Sequence, residues 1–417
     1  MHEHALAVPR AVARARGRRT TAPWMVAAVV AVVYALFIVP RLAGGANEFA
    51  HIGHKFLFQS TTSSVITPSL GYQSRLGFDG QFYLFLALDP QHAQDYMDSP
   101  AYRYSRIGYP ILARGMSVGN SAAIPYMMVL INLAAVVAGT LAAAILLRRR
   151  RASPWLALLY GFFPGIVFSV FRDLGEPLAF ALAAWAMVVF DARSWRRLLA
   201  SAGLFAYALL TRETAALFPA IMLLSLLFAG GSVSDWTARI RGNALRAAAF
   251  GAVAFAPMFA WRYFVSSFWI SGASNGISAD TSEGVTRDLV PLHAIVGRWP
   301  WNKEELLVLL TVVVPAVVSA LIALAVLLRK RSPELWLFLL STAVFVILIP
   351  TWMDEDYGGA GRAAIGAVLP LVIAIPRFRE VLGRESRVLG WSLVLWSLPC
   401  YLLVAILLGA PGPALLK

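Results

Sequence analysis

The sequence predicts an all-α integral membrane protein of about eleven transmembrane helices, and three observations carry that expectation. Of its 417 residues 59% are apolar and 14% charged, and the apolar residues form long blocks rather than amphipathic periods. That is a membrane composition and not a large soluble core. A hydrocarbon layer of roughly 30 Å takes about 20 residues of helix, and blocks near that length recur from Pro23 to the C-terminus. They are too long for barrel strands, so helices are what satisfies the backbone there. Finally, the net charge of +14 is carried by short Arg clusters between the blocks. Such clusters determine topology and do not suggest a nucleic-acid partner.

Helices are expected at 24–40, 124–147, 154–171, 175–190, 198–211, 213–229, 247–270, 305–328, 333–350, 363–376 and 388–408. Residues 1–23 read as a basic cytoplasmic tail (Arg10, Arg14, Arg16, Arg18, Arg19) before an uncleaved first helix. Residues 24–408 form a single polytopic domain, followed by a short tail, 409–417. Two hydrophilic loops stand out, 41–123 and 271–304, and the first is expected to carry short juxtamembrane helices. The stretch 198–229 is read as a hairpin turning at Arg212 and Glu213. As one span it would move the three basic clusters that follow to the outer side.

With a cytoplasmic N-terminus, 22 of the 36 Lys and Arg residues fall in cytoplasmic segments and 16 of the 22 Asp and Glu residues fall outside. The chemistry of this multi-pass protein is therefore expected on the extracytoplasmic side of the cell (plasma) membrane. A single cysteine, Cys400, leaves no intramolecular disulfide and no indication of redox compartment.

Within the first loop, Asp79 precedes Gly80-Gln81-Phe82-Tyr83-Leu84-Phe85-Leu86. Asp79 caps a short helix that Pro90 ends, or it is a carboxylate able to take a proton from a hydroxyl. Phe82, Phe85 and Leu86 share one face at helical spacing, which predicts a helix lying along the membrane surface. Tyr102-Arg103-Tyr104-Ser105-Arg106 interleaves cations with aromatics, as interfacial packing and phosphate binding both require. Arg172-Asp173-Leu174-Gly175-Glu176-Pro177 is either a solvated turn or a functional group of charges near the membrane. Arg212 and Glu213 form a local ion pair at their turn or sit in a polar cavity. Before the tenth helix, Asp354-Glu355-Asp356-Tyr357-Gly358-Gly359-Ala360-Gly361-Arg362 is a flexible loop or an anion site at a helix start. Its three acids can hold a divalent cation, but their spacing does not indicate one. His51 and His54 lack a third ligand, so no metal site is assigned. No P-loop, Rossmann or H-E-x-x-H pattern occurs.

Three of these segments, in order, resemble one family. Asp79 to Ala87 is similar to the D-x-x-[YF]-[YF]-x-x-I-A stretch in the first outer loop of the second mannosyltransferase of GPI-anchor assembly and its bacterial relatives. Phe162-Phe163-Pro164 through Phe168-Ser169 to Glu176-Pro177-Leu178-Ala179-Phe180 resembles that family's third helix, its Glu and its fourth helix, and Leu210-Thr211-Arg212-Glu213 resembles its T-R turn. The resemblance covers roughly residues 77 to 220, and the chain departs from it at Gly77-Phe78 and Asp89-Pro90.

What it implies is a GT-C integral-membrane glycosyltransferase, a hexosyltransferase with mannose as the expected sugar. The donor would be a polyprenyl-phosphate-linked sugar and the acceptor a hydroxyl on a lipid, glycan or protein, outside the cytoplasm. Asp79 would be the catalytic base. Arg212, Arg362 and Arg106 would stabilise the departing phosphate, and Glu176, Tyr83 and Arg103 would help bind donor or acceptor. A polytopic transporter or lipid flippase of envelope components is the alternative, and a non-catalytic envelope scaffold a third.

Overall fold

The computed structural model describes residues 22–228, 236–270, 306, 308–329, 332–348 and 357–382. The expected helix at 388–408, the loop 271–304 and the acids Asp354, Glu355 and Asp356 lie outside the described residues. Among the described residues the protein is all-helical, with one isolated bridge between Gly53 and Ser74 and no strand. Five helices are long and apolar enough to cross a membrane, at Pro23–Leu42, Ile124–Arg149, Ile240–Trp269, Leu309–Arg329 and Ala360–Val381. Shorter apolar helices lie at Glu176–Val189, Glu213–Phe228 and Pro333–Val344.

We number the helices that position the site. They are α1 (Pro23–Leu42), α2 (Gly80–Leu88), α3 (Gly108–Met116), α4 (Ile124–Arg149), α5 (Pro164–Val170), α6 (Glu176–Val189), α7 (Trp195–Thr211), α8 (Leu217–Phe228), α9 (Trp236–Phe264), α10 (Val314–Arg329), α11 (Pro333–Leu348) and α12 (Tyr357–Leu382). Their starts follow local chemistry. Pro opens α1, α4, α5 and α6, where its missing N–H costs nothing. The Ser194 hydroxyl accepts from the Arg197 N–H to cap α7. Helix α6 packs between α4 and α7, α7 against α9, and α12 against α11 and α5. Helix α12 is apolar on most sides and buried along nearly its whole length, from Ala360 to Phe378, which makes it the centre of the bundle.

The crossing of α5 and α12 is a backbone contact. A Cβ on Gly165 would lie 2.1 Å from the Gly361 carbonyl oxygen and 2.8 Å from the Arg362 nitrogen. Only glycine lets the two helices meet there, and the contact places Arg362.

Three expectations need correction. Residues 154–171 are not one helix: they run as Pro154–Ala157, Leu158–Gly161 and α5. Pro164 removes a donor and drives Phe163 to extended backbone (φ −59°, ψ 133°), which breaks the helix. The Gly161 carbonyl freed by the break accepts from the Tyr34 hydroxyl at 2.8 Å. Helix α2 does not lie on a surface, because every residue from Gly80 to Leu88 is buried. The spacing of Phe82, Phe85 and Leu86 fits an amphipathic face, yet the residues between them are apolar as well. Finally, the turn at 172–176 is not solvated: Arg172, Asp173 and Glu176 are all buried.

Residues 198–229 do divide at Arg212, into α7, a short turn at Glu213–Ala216, and α8. The segment 41–123 folds as a packed layer rather than a loose loop. Backbone bonds join Gln73 to Ile52 and Phe78 to His51, and the Gln81 amide bridges Gly53 N–H and the Leu76 carbonyl. Its core, with Phe56, Phe85 and Tyr96, is continuous with Ile124, Met128 and Ile131 of α4 and Leu174 and Leu178 beside α6.

The helix ends sort by charge. Arg149 donates to the Val188 carbonyl, Arg197 to the Val189 carbonyl, and Arg150 pairs with Glu334, so the basic turns meet where α4 and α6 end and α11 begins. The other ends of α6, α7 and α12 carry Glu176, Arg212 and Arg362.

Candidate active site

Those opposite ends converge beneath the layer 41–123, and all seven residues singled out in the sequence meet there. Asp79 stands at the start of α2, but its side chain bonds no helix N–H. Its carboxylate lies instead between two guanidiniums: Oδ1 accepts from Arg103 Nη1 at 3.0 Å and Oδ2 from Arg362 Nη2 at 2.6 Å. A close approach permits this placement. A Cβ on Gly80 would lie 2.1 Å from the Arg172 carbonyl oxygen, so α2 begins directly against the turn that leads into α6.

Arg362 continues the chain of charges, with Nε donating to Glu176 Oε1 at 2.8 Å. The same oxygen lies 3.0 Å from Arg212 Nη2. Arg362, Glu176 and Arg212 are 4%, 1% and 5% exposed, so the three charges are removed from solvent together. Each faces a group of opposite sign; unpaired, it would carry a desolvation penalty of several kcal/mol.

Arg106 belongs to the same end through a different partner. Its Nε and Nη2 reach Glu213 Oε2 at 3.0 Å and Oε1 at 2.5 Å, a two-point grip on the carboxylate. Arg106 also stacks on Tyr102 and bonds the Tyr102 hydroxyl. Arg103 lies over the Phe82 ring and shares itself between Asp79 and Asp98. Of the two readings of Arg212 and Glu213, the local ion pair gives way to pairs across the bundle, with both residues in the polar cluster. The expected cation–aromatic packing at 102–106 is present, and it leaves both cations in the site.

Several buried polar atoms have no partner among the described residues: Arg212 Nε and Nη1, Glu176 Oε2 and the Tyr83 hydroxyl. Two donors and a hydroxyl left open around a cation are the groups an anion with hydroxylated neighbours would engage. Nearby an apolar groove opens between the start of α3, the end of α7 and the C-terminal end of α9, lined by Ile107, Leu210, Pro257, Ala260, Trp261 and Phe264. Ile107 follows Arg106 in sequence and Leu210 lies two residues before Arg212.

Burial pushes the Asp79 carboxyl up, but Arg103 and Arg362 outweigh it and hold the group well below the usual carboxylate range. Burial likewise lowers Arg103, and Asp79 and Asp98 more than reverse this. The Tyr83 phenol is raised, mainly by burial, and stays protonated.

Sequence reasoning missed part of this site. Glu213 as the partner of Arg106 is 107 positions away and has no local signal. Asn132, a lone amide in the apolar α4, did carry a signal: polar groups inside such helices are costly and find partners. It bonds Tyr109, and with Asp173 these form a second polar group beside the first. Compared with known proteins, the chain matches no family model, no curated protein and no solved structure.

The bridge makes a direct prediction. Arg362→Leu should lower thermal stability by about 3–5 kcal/mol at pH 8, because two buried carboxylates lose a shared cation. Arg103 stays on Asp79 and Arg212 on Glu176, so what is lost is the one cation the two acids share. Melting curves of parent and variant at pH 8 measure it. A variant as stable as the parent would mean the shared pairing adds nothing.

Proposed function

We propose that this chain is a membrane-embedded glycosyltransferase. It moves a hexose, with mannose the sugar its sequence resemblance suggests, from a polyprenyl-phosphate carrier to an acceptor hydroxyl on a lipid, glycan or protein. The observation that carries the reading is Asp79: a helix-start carboxylate that caps nothing and is gripped by guanidiniums from two distant segments. The cationic cluster suits a phosphate, and the apolar groove along Ile107, Leu210 and Trp261 suits its isoprenoid chain.

In this reaction the acceptor oxygen attacks the anomeric carbon and the bond from that carbon to the phosphate oxygen breaks. The bonding pair leaves with the phosphate, and the acceptor proton passes to Asp79. While Arg103 and Arg362 face Asp79 it is a weak base. A phosphate drawing on Arg212 and Arg362 weakens that hold, and the negative charge Asp79 loses on protonation reappears on the leaving phosphate. The cations stabilise the charge wherever it lies. Base catalysis contributes typically 10²- to 10⁴-fold.

Sidedness follows from charge: the basic turns at Arg148–Arg151 and Arg193–Arg197 mark the cytoplasmic end and the acid-rich cluster the opposite one. A lipid-linked donor fits that side, because nucleotide sugars are cytoplasmic. The helix broken at Pro164 is the feature that favours a transporter or flippase, whose ion sites use broken helices.

Asparagine keeps the shape of Asp79 but cannot take a proton. Asp79→Asn should bind polyprenyl-phosphate mannose like the parent and transfer the sugar at least about 10²-fold more slowly. Mass spectrometry of product and of released polyprenyl phosphate reads this out. Full turnover by folded Asp79→Asn removes the mechanism, and movement of intact donor across vesicles by the parent would favour transport.

For sidedness, Cys400→Ser provides a thiol-free background. Val118→Cys, at an exposed turn, should react with an impermeant thiol reagent in intact cells, and exposed Arg193→Cys only after permeabilisation. The reverse pattern would put the cluster on the cytoplasmic side.

A further inference from the structure

Asp173 is the buried acid that the proposed chemistry leaves unused. It is fully buried in the turn before α6, on left-handed backbone at φ 50°, a conformation that most side chains avoid. Asp79, Glu176 and Glu213 each face a guanidinium, whereas among the described residues no cation pairs with Asp173. Its polar contacts are the Tyr109 hydroxyl at 3.2 Å and Asn132 Nδ2 at 3.3 Å, both on Oδ1.

Counting hydrogens decides what these contacts are. The Tyr109 oxygen lies 2.9 Å from the Met128 carbonyl oxygen, 3.2 Å from Asp173 Oδ1 and 2.8 Å from Asn132 Nδ2. A phenol has one hydrogen. The shorter contact, to Met128, is with a carbonyl that has no hydrogen to give, so it takes the phenolic one. The contact with Asp173 is then a hydrogen bond only if Asp173 supplies the proton; otherwise two oxygens meet with nothing between them. An unpaired buried carboxylate is also costly, and such groups take up a proton.

We propose that Asp173 is a neutral carboxylic acid that donates its proton to Tyr109, and that this bond positions the turn carrying Glu176. Asp173 is thus a positioning residue. It ties the turn to α3 through Tyr109 and to α4 through Asn132. The backbone of that turn touches Gly80 next to Asp79, and three residues on Glu176 holds Arg362 and Arg212. The Tyr109 ring meets Tyr83 edge-on at 5.6 Å, which links the tie to the open hydroxyl of the site.

The titratable and charged groups around Asp173 leave it in this state. Arg172 is turned toward His51 and the Phe78 ring, and Glu176 is engaged by Arg212 and Arg362. Tyr109 and Tyr83 are phenols raised by burial. Burial likewise pushes the Asp173 carboxyl up to about 8. Its folded pKa therefore lies above the unfolded value of about 4. The stability it contributes is full below about pH 4 and is lost as pH rises toward 8.

The test is Asp173→Asn, whose amide can donate to Tyr109 at every pH but cannot accept from Asn132 Nδ2 as Oδ1 does. Melting temperatures of the full-length parent and variant in lipid nanodiscs, from pH 5 to 9, should show the variant below the parent at pH 5 and gaining on it up to pH 9. Difference infrared spectra should show a protonated-carboxyl band near neutral pH in the parent that is missing in the variant. A variant that fails to fold, a deficit unchanged from pH 5 to 9, or a parent without that band overturns the proposal. Sugar transfer by the parent should fall above about pH 8 and that of Asp173→Asn should not. This last arm rests on the proposed reaction, while melting and spectra stand without it, so the two readings fail separately.

Discussion

Arg362 holds this molecule's polar end together. One guanidinium from the central helix donates to Asp79, at the start of a helix in the 41–123 layer, and to Glu176, at the start of α6. It lies 186 positions from Glu176 and 283 from Asp79, and it fixes the three segments against one another. Its reach depends on the backbone contact between Gly165 and Gly361. A side chain at Gly165 would push α12 away and draw the guanidinium from both acids. A buried network of this kind is stable only when complete, because each charge depends on its neighbours for the solvation that water would give.

A site with this design responds to an incoming anion. Arginines that already neutralise carboxylates are preorganised, so little reorganisation is needed when they turn to a phosphate. Arg212 is the member with donors to spare, since Nε and Nη1 have no partner among the described residues. Arg362 is the member shared between the acids. Under the proposed reaction these roles differ: Arg212 receives the phosphate, and Arg362 follows the charge from Asp79 as the proton arrives.

The residues of the site were legible because charge near a membrane span is expensive, so each Arg or acid at a span end stands out against an apolar sequence. Asp79, Arg103, Arg106, Glu176, Arg212 and Arg362 stand out as charges and Tyr83 through the sequence resemblance alone, and the fold brings the seven together. Their partners were not legible. Pairings such as Arg106 with Glu213 depend on how helices distant in sequence pack, and the adjacent Arg212 suggested a false local pair. Apolar spacing misplaced α2 for a related reason: Phe82, Phe85 and Leu86 fit a surface face and a buried helix equally well. Pro164 announced the break in 154–171, but apolar content outweighed it. The segments that form the site are short and irregular, and what keeps them in place is a core shared with α4 and α6.

Under the proposed reaction this cluster receives a lipid-linked phosphate. Cryo-electron microscopy of the full-length protein in nanodiscs with a polyprenyl phosphate would show where the phosphate sits. Phosphate density should lie against Arg212 and Arg362, with the isoprenoid chain running along Ile107, Leu210 and Trp261. Phosphate density at the opposite end, by Arg148–Arg151, with the Asp79–Arg362–Glu176 contacts unchanged, would contradict it.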